Sequence, residues 1–192
     1  EGTWDAVLAK LTSAADAAGV VNWSLSVDST IVRAHQHGTN TRRPAKTESD
    51  YGDSRQEPPD HAVGRSRGGL SSKIHQLVDG NGLPLVTLVS AGQAGDSPMF
   101  MPLMAQLRIA RAVGRPRTRP DAVRGDKAYS SRAIRGYLRS RGIKAVIPEP
   151  SDQQGHRKRR GSRGGRPVAL DKTDYQQRNV IERRYAHIKQ WR

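Results

Sequence analysis

The sequence predicts a mixed α/β domain, one sheet with helices packed on it. Three observations carry that prediction. Short runs alternate apolar and polar side chains every second residue, longer runs repeat apolar residues at three- and four-residue spacing, and the two kinds of run interleave along the chain. After a first helix the order is strand, long loop, hairpin, helix, strand, helix, strand, basic loop, helix.

Residues 4–18 carry Trp4, Val7, Leu8, Leu11 and Ala14 on one helical face, and Gly19 is a fitting stop. In 23–32, WSLSVDSTIV, Leu25 and Val27 point to one side of a strand while Ser26, Asp28 and Thr30 point to the other. Residues 33–71 are polar, charged and rich in Gly and Pro, so a long loop is expected there. The β-rich runs 72–79 and 83–90 flank Gly80-Asn81-Gly82, a turn sequence that predicts an antiparallel hairpin. A helix is expected from Pro98 to Ala112, with Ser97 or Asp96 as its cap. Residues 121–126 read as a short strand ending at Asp126, 130–141 as a helix on Ile134 and Leu138, and 144–148 as a strand. Residues 151–168 hold six Lys/Arg against one Asp and read as a basic loop. A single helix is expected over 173–192, with Tyr175, Arg178, Glu182, Tyr185 and Lys189 on one arc and Val180, Ile181, Ile188 and Trp191 on the opposite, core-facing side. Trp23 and Trp191 are both expected in the core.

Composition narrows the function. The 192 residues carry 33 Lys and Arg against 18 Asp and Glu, a net charge of +15, which favours a polyanionic partner. There is no Cys, so disulfides, thiolate zinc sites and cysteine nucleophiles are excluded. No apolar run approaches the length of a membrane helix, and no signal peptide is recognisable. The phosphate-cradling G-x-x-x-x-G-K-[ST] and the nucleophile motif G-x-S-x-G are both missing. The first residue is Glu1, and the chain is expected to be a fragment.

Within so cationic a chain, three carboxylates on separate elements stand out: Asp28 on the first strand, Asp126 at the end of a later one, and Glu182 on the last helix. Oxygen ligands select Mg²⁺ or Mn²⁺. Zinc finds only the pair His35 and His37, which reads more simply as part of a polar loop. An acidic cage gathers the ions, and basic surroundings gather a phosphate backbone. The run from Arg157 through Lys158 and Arg159 to Arg160 is the densest basic stretch and is read as a phosphate contact. For the last helix a plainer reading is also open: an exposed face with an Arg178–Glu182 pair one turn apart.

These motifs resemble the DDE transposases of bacterial insertion sequences. VDSTIVRAH (27–35) looks like the family's first-Asp strand, and GDKAY (125–129) looks like its second-Asp strand end. Tyr175, Arg178, Glu182 and Lys189 reproduce the spacing of its Y-(2)-R-(3)-E-(6)-K signature. The resemblance implies an RNase H-like mixed sheet over 22–192, with 1–21 a helical remnant of the linker to a missing DNA-binding region and the C-terminus truncated. It implies that Asp28, Asp126 and Glu182 bind Mg²⁺, with Mn²⁺ an alternative, and that Tyr175, Arg178 and Lys189 lie near the DNA backbone. The implied activity is metal-dependent cleavage at insertion-sequence ends and strand transfer into target DNA, by a cytoplasmic, nucleoid-associated protein working as a homodimer. The competing expectation is a non-catalytic nucleic-acid-binding remnant of such an enzyme, and a structure-selective nuclease of similar fold is a third.

Overall fold

A computed structural model describes residues 2–35 and 62–191. The predicted loop at 33–71 falls mostly outside those residues, as does His37. The rest of it is partly strand.

The elements are helix α1 (Thr3–Ala17), strands β1 (Ser24–Arg33), β2 (Gly64–Ser66), β3 (Gly69–Val78) and β4 (Pro84–Ala91), helix α2 (Asp96–Gln106), strand β5 (Ala122–Arg124), helix α3 (Arg132–Ser140), strand β6 (Lys144–Val146), and helices α4 (Ser151–Arg159), α5 (Lys172–Gln176) and α6 (Asn179–Lys189). Short 3₁₀ turns lie at Lys127–Tyr129 and Gly161–Gly164. One sheet runs β2-β3-β1-β5-β6, with β4 also paired to β3. Pairing is antiparallel for β1–β3, β2–β3 and β3–β4, and parallel for β1–β5 and β5–β6. This is the mixed sheet flanked by helices that the sequence predicts.

The register sorts side chains between two faces. Val27 pairs with Leu77 and faces the main core, where Leu25, Phe100 and Leu103 of α2, Val123 and Leu138 of α3 meet. Ser26 pairs with Val78 on the opposite face, where Val180, Ile181 and Tyr185 of α6 form a smaller cluster. With a side-chain period of two, Asp28 falls on the α6 face and Ser29 on the α2 face. The hairpin turn is held by buried Asp79, whose carboxylate accepts the Asn81 and Leu83 amides and that of Asn22.

Four expectations need correction. The sheet extends into the supposed loop because a tight turn at Arg67-Gly68, closed by Gly69 at φ +100°, lets the short β2 pair with the start of β3. The helix predicted to Ala112 stops at Gln106: extended backbone at Leu107 turns both Leu107 and Ile109 into the core, and Ile109 bridges Arg117. Its N-cap is Gly95, so neither Ser97 nor Asp96 caps it. The basic stretch 151–168 contains α4 and a 3₁₀ turn, although, as its composition demands, α4 buries no residue.

The last helix also departs from a single rod. At 177–178 the ladder tightens to i→i−3 bonds, Gln177 to Asp174 and Arg178 to Tyr175. The Asp174 carbonyl, which Arg178 would use in an α-helix, accepts from the Arg124 side chain at 3.1 Å. The buried seam is Ile181, Tyr185 and Ile188 with Val180, so Tyr185 belongs to the packed side, whereas Trp191 is 90% exposed. Trp23 is in the core as expected, with Arg117 stacked 4.0 Å over its ring.

Candidate active site and relatives

Adjacent parallel strands bring the two aspartates together. Ser26 pairs with Arg124 across β1 and β5, and Asp28 and Asp126 each lie two residues further on. Neighbouring strands are about 4.8 Å apart, so the two acids lie side by side where β5 ends, on two interior strands of the sheet. Gly125 makes this approach possible: a Cβ there would stand 3.1 Å from the Val27 side chain and 3.2 Å from the Tyr129 ring. Asp126 is oriented by capping the 3₁₀ turn, where it accepts the Ala128 amide at 2.8 Å.

Asp28 sits in a drier place. Burial pushes its carboxyl above the usual carboxylate range, the Ser29 amide (2.8 Å) and Arg178 pull it back, and the neighbouring Asp126 charge pushes it up again. The Arg178 Nη1 donates to Asp28 Oδ2 at 2.8 Å while its Nη2 donates to Glu182 Oε1. One guanidinium therefore bridges the first and third acids. Burial disfavours the Arg178 charge, but Asp28, Tyr175 and Glu182 outweigh it and raise its pKa. The Tyr175 ring lies 5.9 Å from the guanidinium carbon.

Tyr185 ties α6 to the strand: its hydroxyl donates to the Asp28 carbonyl at 2.6 Å, and burial pushes its pKa up. Arg124 ties the preceding segment down through Asp174 Oδ1 (2.7 Å) and the Ser24 carbonyl (2.7 Å). Neither residue was singled out in the sequence for such a role. Tyr185 had a signal, its place on the Tyr175–Lys189 arc; Arg124 had none, because its partners lie 50 and 100 residues away.

The arc and the core-facing side of this helix are not opposite faces, as the sequence suggested. Arg178 and Tyr185 lie over the sheet, Glu182 is half-exposed at its margin, and Lys189 is exposed with no charged partner among the described residues. At the end of α4, Lys158, Arg159 and the C-cap residue Arg160 are exposed, while Arg157 pairs with Glu149. Among the described residues, no three Asp, Glu or His side chains stand close enough to hold a metal ion. Asp96 occupies the other face of the sheet, where it accepts from Ser29 Oγ (2.6 Å) and Lys73 Nζ (3.0 Å).

No described helix is long and apolar enough to cross a membrane. The chain is similar, 34% identical over 85 residues, to a Burkholderia cepacia protein whose name links it to transposition of insertion sequence element IS402; the match spans 44% of this chain and 40% of that relative. Among solved structures, the Mos1 transposase paired-end complex with left transposon end aligns over 93% of this chain and 58% of its own, at 11% identity and a TM-score of 0.35, too loose a likeness to build on. The family model described as Transposase DDE domain matches residues 23–192, which span the whole sheet, both Asp28 and Asp126 and the Glu182 helix, and the chain belongs to that family.

Proposed function

We propose that this chain is the catalytic part of a DNA transposase that cuts at insertion-sequence ends and joins the freed end to target DNA. The observation that carries the reading is the parallel pairing of β1 with β5, which sets Asp28 beside Asp126 where β5 ends, under a helix whose Glu182 is linked to Asp28 through a single guanidinium. An all-oxygen donor set beside a basic surface has the chemistry of a Mg²⁺ or Mn²⁺ site for phosphoryl transfer. Asp28 and Asp126 would hold such an ion; Glu182 would join them once Arg178 releases it. When bound, the ion supplies Lewis-acid charge at the attacking and leaving oxygens.

The chain's own groups do the positioning. Tyr185 and the Ser29 amide fix Asp28 in place, and the 3₁₀ turn fixes Asp126. Arg178 and Lys189 neutralise backbone phosphates, and Tyr175 braces Arg178. Dimerisation on paired ends belongs to the same reading.

The test is cleavage and joining of a terminal-repeat duplex by wild type and Asp126→Asn, with Mn²⁺ titrated calorimetrically into each. Loss of both cleavage and ion binding in the variant is the expected result. Cutting at the wild-type rate refutes the assignment. The bridging guanidinium favours one rival, a DNA-binding remnant that no longer takes up metal. That rival predicts no Mn²⁺ heat in wild type.

A further inference from the structure

Between α3 and α4, with the segment that follows α4, lies an open cleft of about 710 Å³ lined by six arginines: Arg132, Arg135, Arg139, Arg157, Arg160 and Arg166. It begins where the 3₁₀ turn capped by Asp126 ends, since its inner wall includes Ser130. Two of the arginines build it. Arg135 Nη2 donates to Ser130 Oγ and to the Ile147 carbonyl, both at 2.8 Å, and Arg157 pairs with Glu149. Gln153 of α4 accepts from Ser130 Oγ at 3.0 Å, which ties the two walls together.

The other four, Arg132, Arg139, Arg160 and Arg166, are exposed and have no carboxylate partner among the described residues. Like charges gathered in a concave surface repel one another. The fold maintains this concentration with a single lining carboxylate, already paired to Arg157. Arg132 and Arg139 lie seven residues apart on α3, about 10 Å at 1.5 Å per residue, which is three base steps of 3.4 Å along a DNA strand.

We infer that this cleft seats the phosphate backbone of DNA where the duplex runs past Asp126, with Arg132, Arg139, Arg160 and Arg166 as the contacting cations. The inference rests on the transposase reading for the identity of the polyanion, and it moves the principal contact from the run 157–160 alone to a cleft between α3 and the segment from α4 to Arg166. Arg157 serves the wall and not the ligand.

The experiment is fluorescence-anisotropy titration of a labelled duplex across a salt series, comparing wild type, the cleft pair Arg132→Gln/Arg139→Gln, and the remote exposed pair Arg108→Gln/Arg115→Gln, with circular dichroism to confirm folding. Each lost phosphate contact lowers the log–log salt slope by about 0.9, so the cleft pair should lose about 1.8 in slope and about tenfold or more in affinity. The remote pair, with the same change in net charge, should lose far less. Equal losses in the two pairs, or none in the cleft pair, overturn the cleft. If wild type cuts DNA while the cleft pair binds as wild type, only this inference falls. If wild type binds no DNA, the transposase reading falls with it.

Discussion

Replacing Arg178 with Gln tests the hub of the candidate site. The guanidinium donates to Asp28 at 2.8 Å with both side chains about one-fifth exposed or less, and to Glu182, whose side chain is 52% exposed. A hydrogen bond to a charged group contributes about 1.5–3 kcal/mol, and an exposed i,i+4 ion pair about 0.3–0.5 kcal/mol. Together these give a loss of about 2–3 kcal/mol, most of it from Asp28, which burial already penalises. For a domain of this size each kcal/mol moves Tm by about 2–4 °C, so a fall of about 5–10 °C is expected. Differential scanning fluorimetry without divalent ions measures it, and Arg178→Gln combined with Asp28→Asn closes a double-mutant cycle. Asp28→Asn should remove most of the penalty, because no buried charge is then left without a partner. A variant within about 0.5 kcal/mol of wild type, typical of surface substitutions away from special features, would show that the bridge contributes nothing to stability.

Tyr185→Phe leaves the Asp28 carbonyl without its side-chain donor and should cost about 1–2 kcal/mol, read from the midpoint of urea unfolding. Leu25→Ala opens the centre of the sheet and should cost about 2–5 kcal/mol in the same assay, whereas Trp191→Ser should stay within about 0.5 kcal/mol. His75 is fully buried against Ser90 and 4.0 Å from Asp96, and burial lowers its pKa from 6.5 to about 4. The folded state then resists a proton that the unfolded chain accepts, so stability is complete above pH 6.5 and falls as pH drops toward 4. The loss reaches about 3 kcal/mol, and His75→Gln should flatten it in unfolding measured at several pH values.

Pattern and composition determined a good deal. Alternation in β1 separated Leu25 and Val27 from Asp28, and the Gly80-Asn81-Gly82 turn marked the hairpin. The charge of +15 pointed to a polyanion, and the spacing from Tyr175 to Lys189 pointed to the family. The charge is a sum over residues that needs no structure, and the rest are local properties, set by backbone periodicity and residue chemistry within a few turns or strands. What tertiary structure alone decided are pairings between distant segments. Arg124 takes the Asp174 carbonyl and tightens the last helix, the register of β1 with β5 sets Asp28 beside Asp126, and Tyr185 is drawn over the sheet while Trp191 is left in solvent. A helical wheel carries no information about which of its faces a sheet will cover. That choice belongs to the whole fold, and it is what places Arg178 between two acids that lie more than 150 residues apart.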